Sequence, residues 1–433
     1  MPRRLVAVAV AAVLSVAGCG SGSSDSSGPK TLKLWHYEGP DSAMGVAWNA
    51  AIKQFEDTHP GVKVQFEEKG FEQIQKTAPM VLNSKDAPDI LEYNKGNATA
   101  GLLAKQGLLT DMSDEVAKRG WDKLLSPNVQ TTSRYDEQGV MGSGKWYGIP
   151  NYAEYVMVYY NKDMFAKQGI EVPKTLGELT AAMDKFVAAG TTPLAVGGVE
   201  YPAHQIMYQL ALTKADRAWV DRYQRYTGKV DFHDAAWTYG ATTFADWVGK
   251  GYVAKDSAGV KAEDMGLSFI QGKYPIMISG SWWYGRLVAG IKNFQWGSFL
   301  WPGTSPGSAG MTAGSGGNLW VVPQGSKSKD LAYDFIGITM SQPIQDKLRD
   351  AGGVPVLTGG TAAADPKMKE VTDNFATLAK DDRLAYYPDW PAPGYYDVQV
   401  SAVQKLITGS ATPSQVLDEL AGPYQENLAT LGK

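Results

Sequence analysis

The sequence predicts an α/β protein built on mostly parallel sheets with helices on both faces. Three observations predict it. Strand-patterned runs alternate with helix-patterned ones from Lys30 onward, the alternation begins again at Gly144, and the run Tyr155 to Tyr160 is almost wholly apolar, as a strand covered on both faces must be. The 433 residues suffice for two or three ordinary domains, and the apolar (44%) and charged (20%) fractions are those of a globular chain. A net charge of −4 without any basic run attracts neither a phosphate backbone nor an anionic membrane surface, so nucleic acid is excluded as a partner.

In chain order, residues 1–18 form an export signal: Arg3 and Arg4, roughly a dozen apolar residues, then small ones. The apolar segment is too short to span a bilayer. Val16-Ala17-Gly18-Cys19 resembles the bacterial lipobox, in which the cysteine is lipidated and becomes the first residue after cleavage. Cys19 is the only cysteine, so no internal disulfide competes for it. The Gly/Ser tract over 19–29 has the composition of a flexible tether. Acyl chains contribute about 0.8 kcal/mol per buried methylene, which holds a body at the membrane through its lipid alone.

The body opens with a strand, Thr31 to Trp35, and a helix whose Trp48, Ala51, Ile52 and Phe55 share one face. Val62 to Phe66 alternates as a strand, a helix runs to about Asn83, and Ala87 to Asn94 holds another short strand. Thr175 with Glu178, and Thr412 with Pro413 and Gln415, are helix starts with capping-box spacing. No repeat in the solenoid range is present.

Two motifs invite catalysis and fail on chemistry. Gly303-Thr304-Ser305-Pro306-Gly307 fits a hydrolase nucleophile elbow, but Pro306 lacks the N–H that the oxyanion hole requires. Gly139 to Lys145 fits a phosphate loop until Trp146, which stands where a Ser or Thr should hold magnesium. The 4 histidines are scattered, with no i+4 pair, so no metal site and no cofactor is expected.

Aromatic residues collect where strands end: Trp35 and Tyr37, Tyr93, Trp146 and Tyr152, Trp282 to Tyr284, and the pair Tyr395 and Tyr396. Ligands of open α/β sheets lie beyond the carboxyl ends of strands. A sugar offers C–H faces and a polar rim, so its site needs flat rings beside hydrogen-bonding groups. Glu38, Asn94, Asn97, Glu154, His204 and Asn318 stand next to these rings.

Six segments carry a resemblance to a family: "LKLWHYEG", "APDILEYNKGNATAGLLAKQGLLTDMSD", "GKWYGIPNYAEYVMVYYNKDMF", "FIQGKYPIMISGSWWYG", "GGNLWVVPQGSKSKDLAYDFI" and "AGGVPVL". In this order, behind a lipobox, they resemble the bacterial extracellular solute-binding proteins of carbohydrate ABC transporters, the group that includes maltose-binding protein. The resemblance implies the type II periplasmic-binding-protein fold, two α/β lobes joined by a hinge, with the first lobe from 30–149 plus 300–340 and the second from 150–299 plus 341–433. Crossings are expected near Pro150, Phe299 and Ser341.

By the same resemblance, the first lobe supplies Tyr37, Glu38, Tyr93, Asn94 and Asn97 to the cleft. The second supplies Tyr152, Glu154, Tyr201, His204, Trp282 and Tyr395 or Tyr396, with Trp283 competing with Trp282 for the cleft. The segment after Ile90 departs from the family in being neutral apart from Lys95, and the cleft segments lack Arg at the aligned positions, which favours a neutral ligand over a phosphate.

The implied function is that of a monomeric, lipid-anchored receptor that captures an extracellular sugar, an oligosaccharide, and passes it to ABC permease subunits without making or breaking a covalent bond. Three alternatives stand beside it. One is a lipoprotein glycoside hydrolase with Glu38 and Glu154 as acid and nucleophile. Another keeps the fold and carries a polyol or glycerol-phosphate compound. The third is a sensor that presents its closed form to a membrane kinase.

Overall fold

The computed structural model describes residues 30–308, 310–357 and 360–432, so Cys19, the signal and the tether lie outside the described residues. Its strands are β1 (Lys30–His36), β2 (Val62–Glu68), β3 (Ile90–Tyr93), β4 (Arg134–Tyr135), β5 (Lys145–Trp146), β6 (Ile149–Pro150), β7 (Ala153–Asn161), β8 (Leu194–Ala195), β9 (Ile276–Gly280), β10 (Trp296–Leu300), β11 (Gly314–Gly316) and β12 (Leu319–Val321). One sheet has the order β2-β1-β3-β12-β6 and the other β10-β7-β9-β8, with β11 also on β7. Among the described residues no helix is long and apolar enough to cross a membrane.

Local sequence explains the first lobe. Ser42 caps the helix Ala43–Thr58 by accepting from the Gly45 N–H. Trp48, Ala51 and Phe55 are fully buried, with Ile52 at the margin of the same stripe. Trp48 meets Trp320 edge to face at 5.4 Å, and Trp320 meets Phe335 at 5.7 Å, which ties the outer helices to β12. In the second lobe Trp219, Tyr223, Phe232, Trp237 and Tyr424 pack together, with Tyr223 and Trp237 centred 5.0 Å apart. Much of the aromatic content is therefore core.

The sheets are of mixed orientation. β1 is parallel to β2 and β3, whereas β12 runs antiparallel between β3 and β6. β7 is antiparallel to β9, β10 and β11, and β8–β9 is parallel. The expected mostly parallel order holds for β2-β1-β3. Elsewhere β12 in the first sheet and β7 in the second run against their neighbours.

The crossings define the hinge. The chain leaves the first sheet between Pro150 and Ala153 and re-enters it between Gly316 and Leu319. It leaves again after the helix Gln342–Asp350, which buries Ile344 and Leu348 against the first lobe. The second and third crossings thus lie beyond Phe299 and Ser341, because β10 and β11 both extend β7 and because the helix after Ser341 packs on the helix Ala43–Thr58.

Gln345 staples this hinge. Its Nε2 donates to the carbonyls of Asn151 and Thr339, both at 3.0 Å, and its Oε1 accepts from the Val356 N–H at 2.9 Å. The side chain is fully buried, so water cannot replace those partners. Gln345→Leu, near-isosteric but without polar atoms, is expected to lower unfolding free energy by about 3 kcal/mol, read as a shift in the urea midpoint. An unchanged midpoint would remove the staple from the account.

Candidate functional site

The sheets' carboxyl-end loops enclose a cavity of about 650 Å³ between the lobes, within the roughly 300–1,000 Å³ of small-molecule sites. From the first lobe, β1 ends at His36 and the chain turns inward. His36 stacks on Phe66 at 3.9 Å, and burial lowers its pKa to about 3, so the ring is neutral and its Nδ1 accepts the Glu38 N–H at 3.2 Å. That bond aims Glu38 at the cavity, where Ser42 Oγ donates to its Oε2 at 3.2 Å. Burial pushes the Glu38 carboxyl up to about 8, and the charge of Glu154 adds to it.

At the base of the cleft four side chains from three segments form one network. Lys95 donates to Glu154 Oε1 and, at 3.2 Å, to Asn318 Oδ1. Tyr152 donates to Glu154 Oε2 at 2.9 Å, and Asn318 Nδ2 donates to the Tyr152 hydroxyl at 3.0 Å. The Lys95 ammonium also lies 5.6 Å from the Tyr387 ring and 5.2 Å from Trp390. Gly96 makes this approach possible: its φ is +104°, and a Cβ there would meet Trp390 at 2.6 Å.

The second lobe contributes the aromatic wall. Trp282 follows β9 on the turn Ser281–Trp283, and its ring lies back over Gly280, where a Cβ would meet it at 1.8 Å. It stays half-exposed, 6.2 Å from Tyr387. Trp283 is buried over Gly266 with the Arg286 guanidinium 4.5 Å above it. Of the two rings, Trp282 is the one with a free face.

Of the residues expected at the site, Tyr37, Glu38, Asn94, Tyr152, Glu154 and Asn318 line the cavity from the first lobe and hinge. Tyr201, Trp282, Trp283 and Tyr396 line it from the second. Four others do not reach it. Tyr93 is the last residue of β3 and packs into the core, while Asn94, the next residue, turns to the cavity. Asn97 is held by bonds to the Gln224 carbonyl (2.8 Å) and the Met141 N–H (2.8 Å). His204 is buried behind Tyr201, 4.6 Å between ring centres. Tyr395, one helical position from Tyr396, turns away and donates to the Leu420 carbonyl.

The wall also contains residues not anticipated, among them Gln205, Tyr387, Trp390 and Arg286. The run Tyr386 to Tyr396, dense in Pro and aromatics, was the legible signal for two of them. Arg286 corrects the expectation of a cleft without arginine. Its charge is engaged, however, by a bidentate pair with Glu263 (2.7 and 2.6 Å) and by Asp41 of the other lobe at 3.3 Å. The hydroxyls of Tyr37 and Tyr387 and the Gln205 Oε1 are buried without a protein partner, and all three residues line the cavity. Flat rings interleaved with unpartnered donors and acceptors can grip a molecule that is apolar on its faces and polar at its rim.

The fold and site define a two-lobed solute-binding protein. The chain belongs to the bacterial extracellular solute-binding protein family, whose sequence profile matches residues 39–338. It is 27% identical over 461 residues to the diacetylchitobiose binding protein DasA of Streptomyces coelicolor, covering 99% of each chain. It is 23% identical to a maltotriose-binding protein of Pyrococcus abyssi, covering 82% of this chain and 70% of that one. In fold it is similar to a chitin oligosaccharide binding protein (TM-score 0.77, 22% identity, 92% of this chain and 99% of that one). It is likewise similar to RafE in complex with raffinose (TM-score 0.71, 21% identity, 92% and 99%).

The raised Glu38 carboxyl has a stability consequence with a definite sign. Its folded pKa of about 8 lies above the ordinary 4.5, so the folded protein keeps a proton that the unfolded chain releases. The stability tied to this group is complete below the ordinary range and is lost as pH rises towards 8. Glu38→Gln, permanently neutral, is expected to match wild type near pH 4 and to become progressively more stable than it up to pH 8, by chemical denaturation. A constant difference across that range would show Glu38 to be ionised in the fold.

Proposed function

We propose that this protein is a lipid-anchored receptor that captures an extracellular oligosaccharide between its lobes and delivers it to an ABC importer. The observation that carries the proposal is the cleft wall itself, where Trp282, Tyr387 and Trp390 flank a polar floor built by Lys95, Glu154, Asn318 and Tyr152. Relatives named for chitobiose, maltotriose and chitin oligosaccharides support a saccharide of more than one unit. Membership of an extracellular family supports export, and the lipobox sequence around Cys19 supports the anchor. Ligand binding biases an open–closed equilibrium about the hinge, and the closed form is what a permease recognises.

The chemistry of the carboxylates favours binding over hydrolysis. Both oxygens of Glu154 accept a hydrogen bond, one from Lys95 and one from Tyr152, which lowers the nucleophilicity of the carboxylate and holds it in a structural network. A glycerol-phosphate cargo would want a free cation or helix N-terminus, and both cations of the described wall, Lys95 and Arg286, are already paired.

Thermal unfolding against a panel of mono- and oligosaccharides, polyols and glycerol phosphates tests the reading. A true ligand at a hundredfold excess over its Kd adds about 2.7 kcal/mol and is recovered intact. Cleavage of the sugar during the assay would make the protein an enzyme. For the ligand so found, Trp282→Ala is expected to weaken binding by about tenfold or more, a loss of about 1.5 kcal/mol of stacking. Unchanged affinity in the folded variant would exclude stacking on Trp282. Cys19→Ser is expected to release the protein from the membrane fraction of expressing cells, and retention there would refute the lipid anchor.

A further inference from the structure

This inference rests on the oligosaccharide reading and concerns one end of the same cleft. There Glu72, in the first turn of the first-lobe helix Phe71–Val81, and Glu200 of the second lobe both line the cavity. Around them stand rings from both lobes, with Phe71 6.3 Å from Tyr201 and Tyr201 5.2 Å from Tyr396. Gln205, only 1% exposed, adds an Oε1 with no donor in the protein.

Neutral groups of the wall meet these carboxylates, the Ala262 N–H donating to Glu200 Oε2 at 3.3 Å and the Tyr396 hydroxyl facing Glu72, but no free cation among the described residues of the wall balances their charge. Among the described residues lining the cavity the cations are Lys95 and Arg286. The first is paired with Glu154 and the second with Glu263 and Asp41. Lys76 lies 3.7 Å from Glu72 on the same helix, but its side chain is 64% exposed, where solvent and salt screen it. Burial raises the Glu72 carboxyl above the ordinary range against the opposing pull of the Tyr396 hydroxyl and Lys76, and the charges of Glu200 and Asp397 push it the same way as burial. Burial likewise brings Asp389, nearby, up to about 6.

Approach of the lobes therefore gathers carboxylates of like charge into a site that excludes water, which opposes closure. A cation placed between them turns that repulsion into attraction, and the aromatic rings favour an ammonium over a metal ion. We propose that this end of the cleft receives a protonated amine, so that the preferred cargo is an oligosaccharide bearing a free amino group, held between Glu72 and Glu200 beside Tyr201 and Tyr396. The amine thus acts as the link that lets the two lobes close.

The test compares a β-1,4-linked glucosamine tetramer with its fully N-acetylated counterpart by titration calorimetry on the purified protein at pH 6, in low and high salt. The free-amine tetramer is expected to bind at least about tenfold more tightly, with the advantage shrinking as salt rises. Glu72→Gln and Glu200→Gln are expected to erase that advantage by weakening the free-amine tetramer at least about tenfold more than the acetylated one. Equal or tighter binding of the acetylated tetramer, or an equal loss for both tetramers in the Gln variants, overturns the amine site. Binding of the acetylated tetramer alone would do so while leaving oligosaccharide capture standing. Failure of both tetramers, with no response across the wider sugar panel, would remove the underlying reading as well.

Discussion

The buried pair of Lys95 and Glu154 is the constraint on which the cleft depends. Both side chains are almost wholly buried, and an isolated charge at either position would cost several kcal/mol of desolvation. Each ion is therefore tied to further groups: Lys95 to Asn318, Glu154 to Tyr152, and Asn318 back to Tyr152. The ring of bonds joins the end of β3, the first crossing and the return crossing, so the cleft floor and the hinge are one polar unit. Removing one member strands the others, since a partly satisfied buried network is worse than an apolar one.

Two packing devices keep that unit in register with the wall. Gly96 carries a backbone conformation closed to side-chain-bearing residues and leaves room for the Trp390 ring beside Lys95. On the other lobe, Gly280 lets Trp282 fold back over the end of β9 and keep one face free, while Trp283 is buried beneath Arg286. Adjacent tryptophans thus end in different environments, one half-buried at the cavity wall and one under an ion pair that reaches across to Asp41.

Electrostatics divides the cavity into regions. At the floor, charge is paired and rigid. At the mouth beside Arg286, a guanidinium is shared between carboxylates of both lobes. At the end near Glu72 the balance is negative, with rings close by. The three regions are contributed by both lobes and are held in their present arrangement by the crossings that Gln345 staples.

Much was readable from the chain because it is encoded locally. The stripe of Trp48, Ala51 and Phe55, the apolar run of β7 and the capping box at Thr412 each need only their own neighbours, and the structure shows all three. The family segments likewise point to the cleft-forming loops. What escaped was the phase and pairing of side chains. Asn94 enters the cavity and Tyr93 the core, and Tyr396 enters while Tyr395 leaves, because successive residues face different ways and only packing shows which way is inward. Lys95 with Glu154, and Arg286 with Asp41, join residues far apart in the chain, and the later crossings were displaced by strands and a helix that dock on distant elements. Periodicity is a property of neighbours in sequence and could be read there. Charge compensation and cleft exposure are properties of neighbours in space, and they arose when the lobes folded against each other.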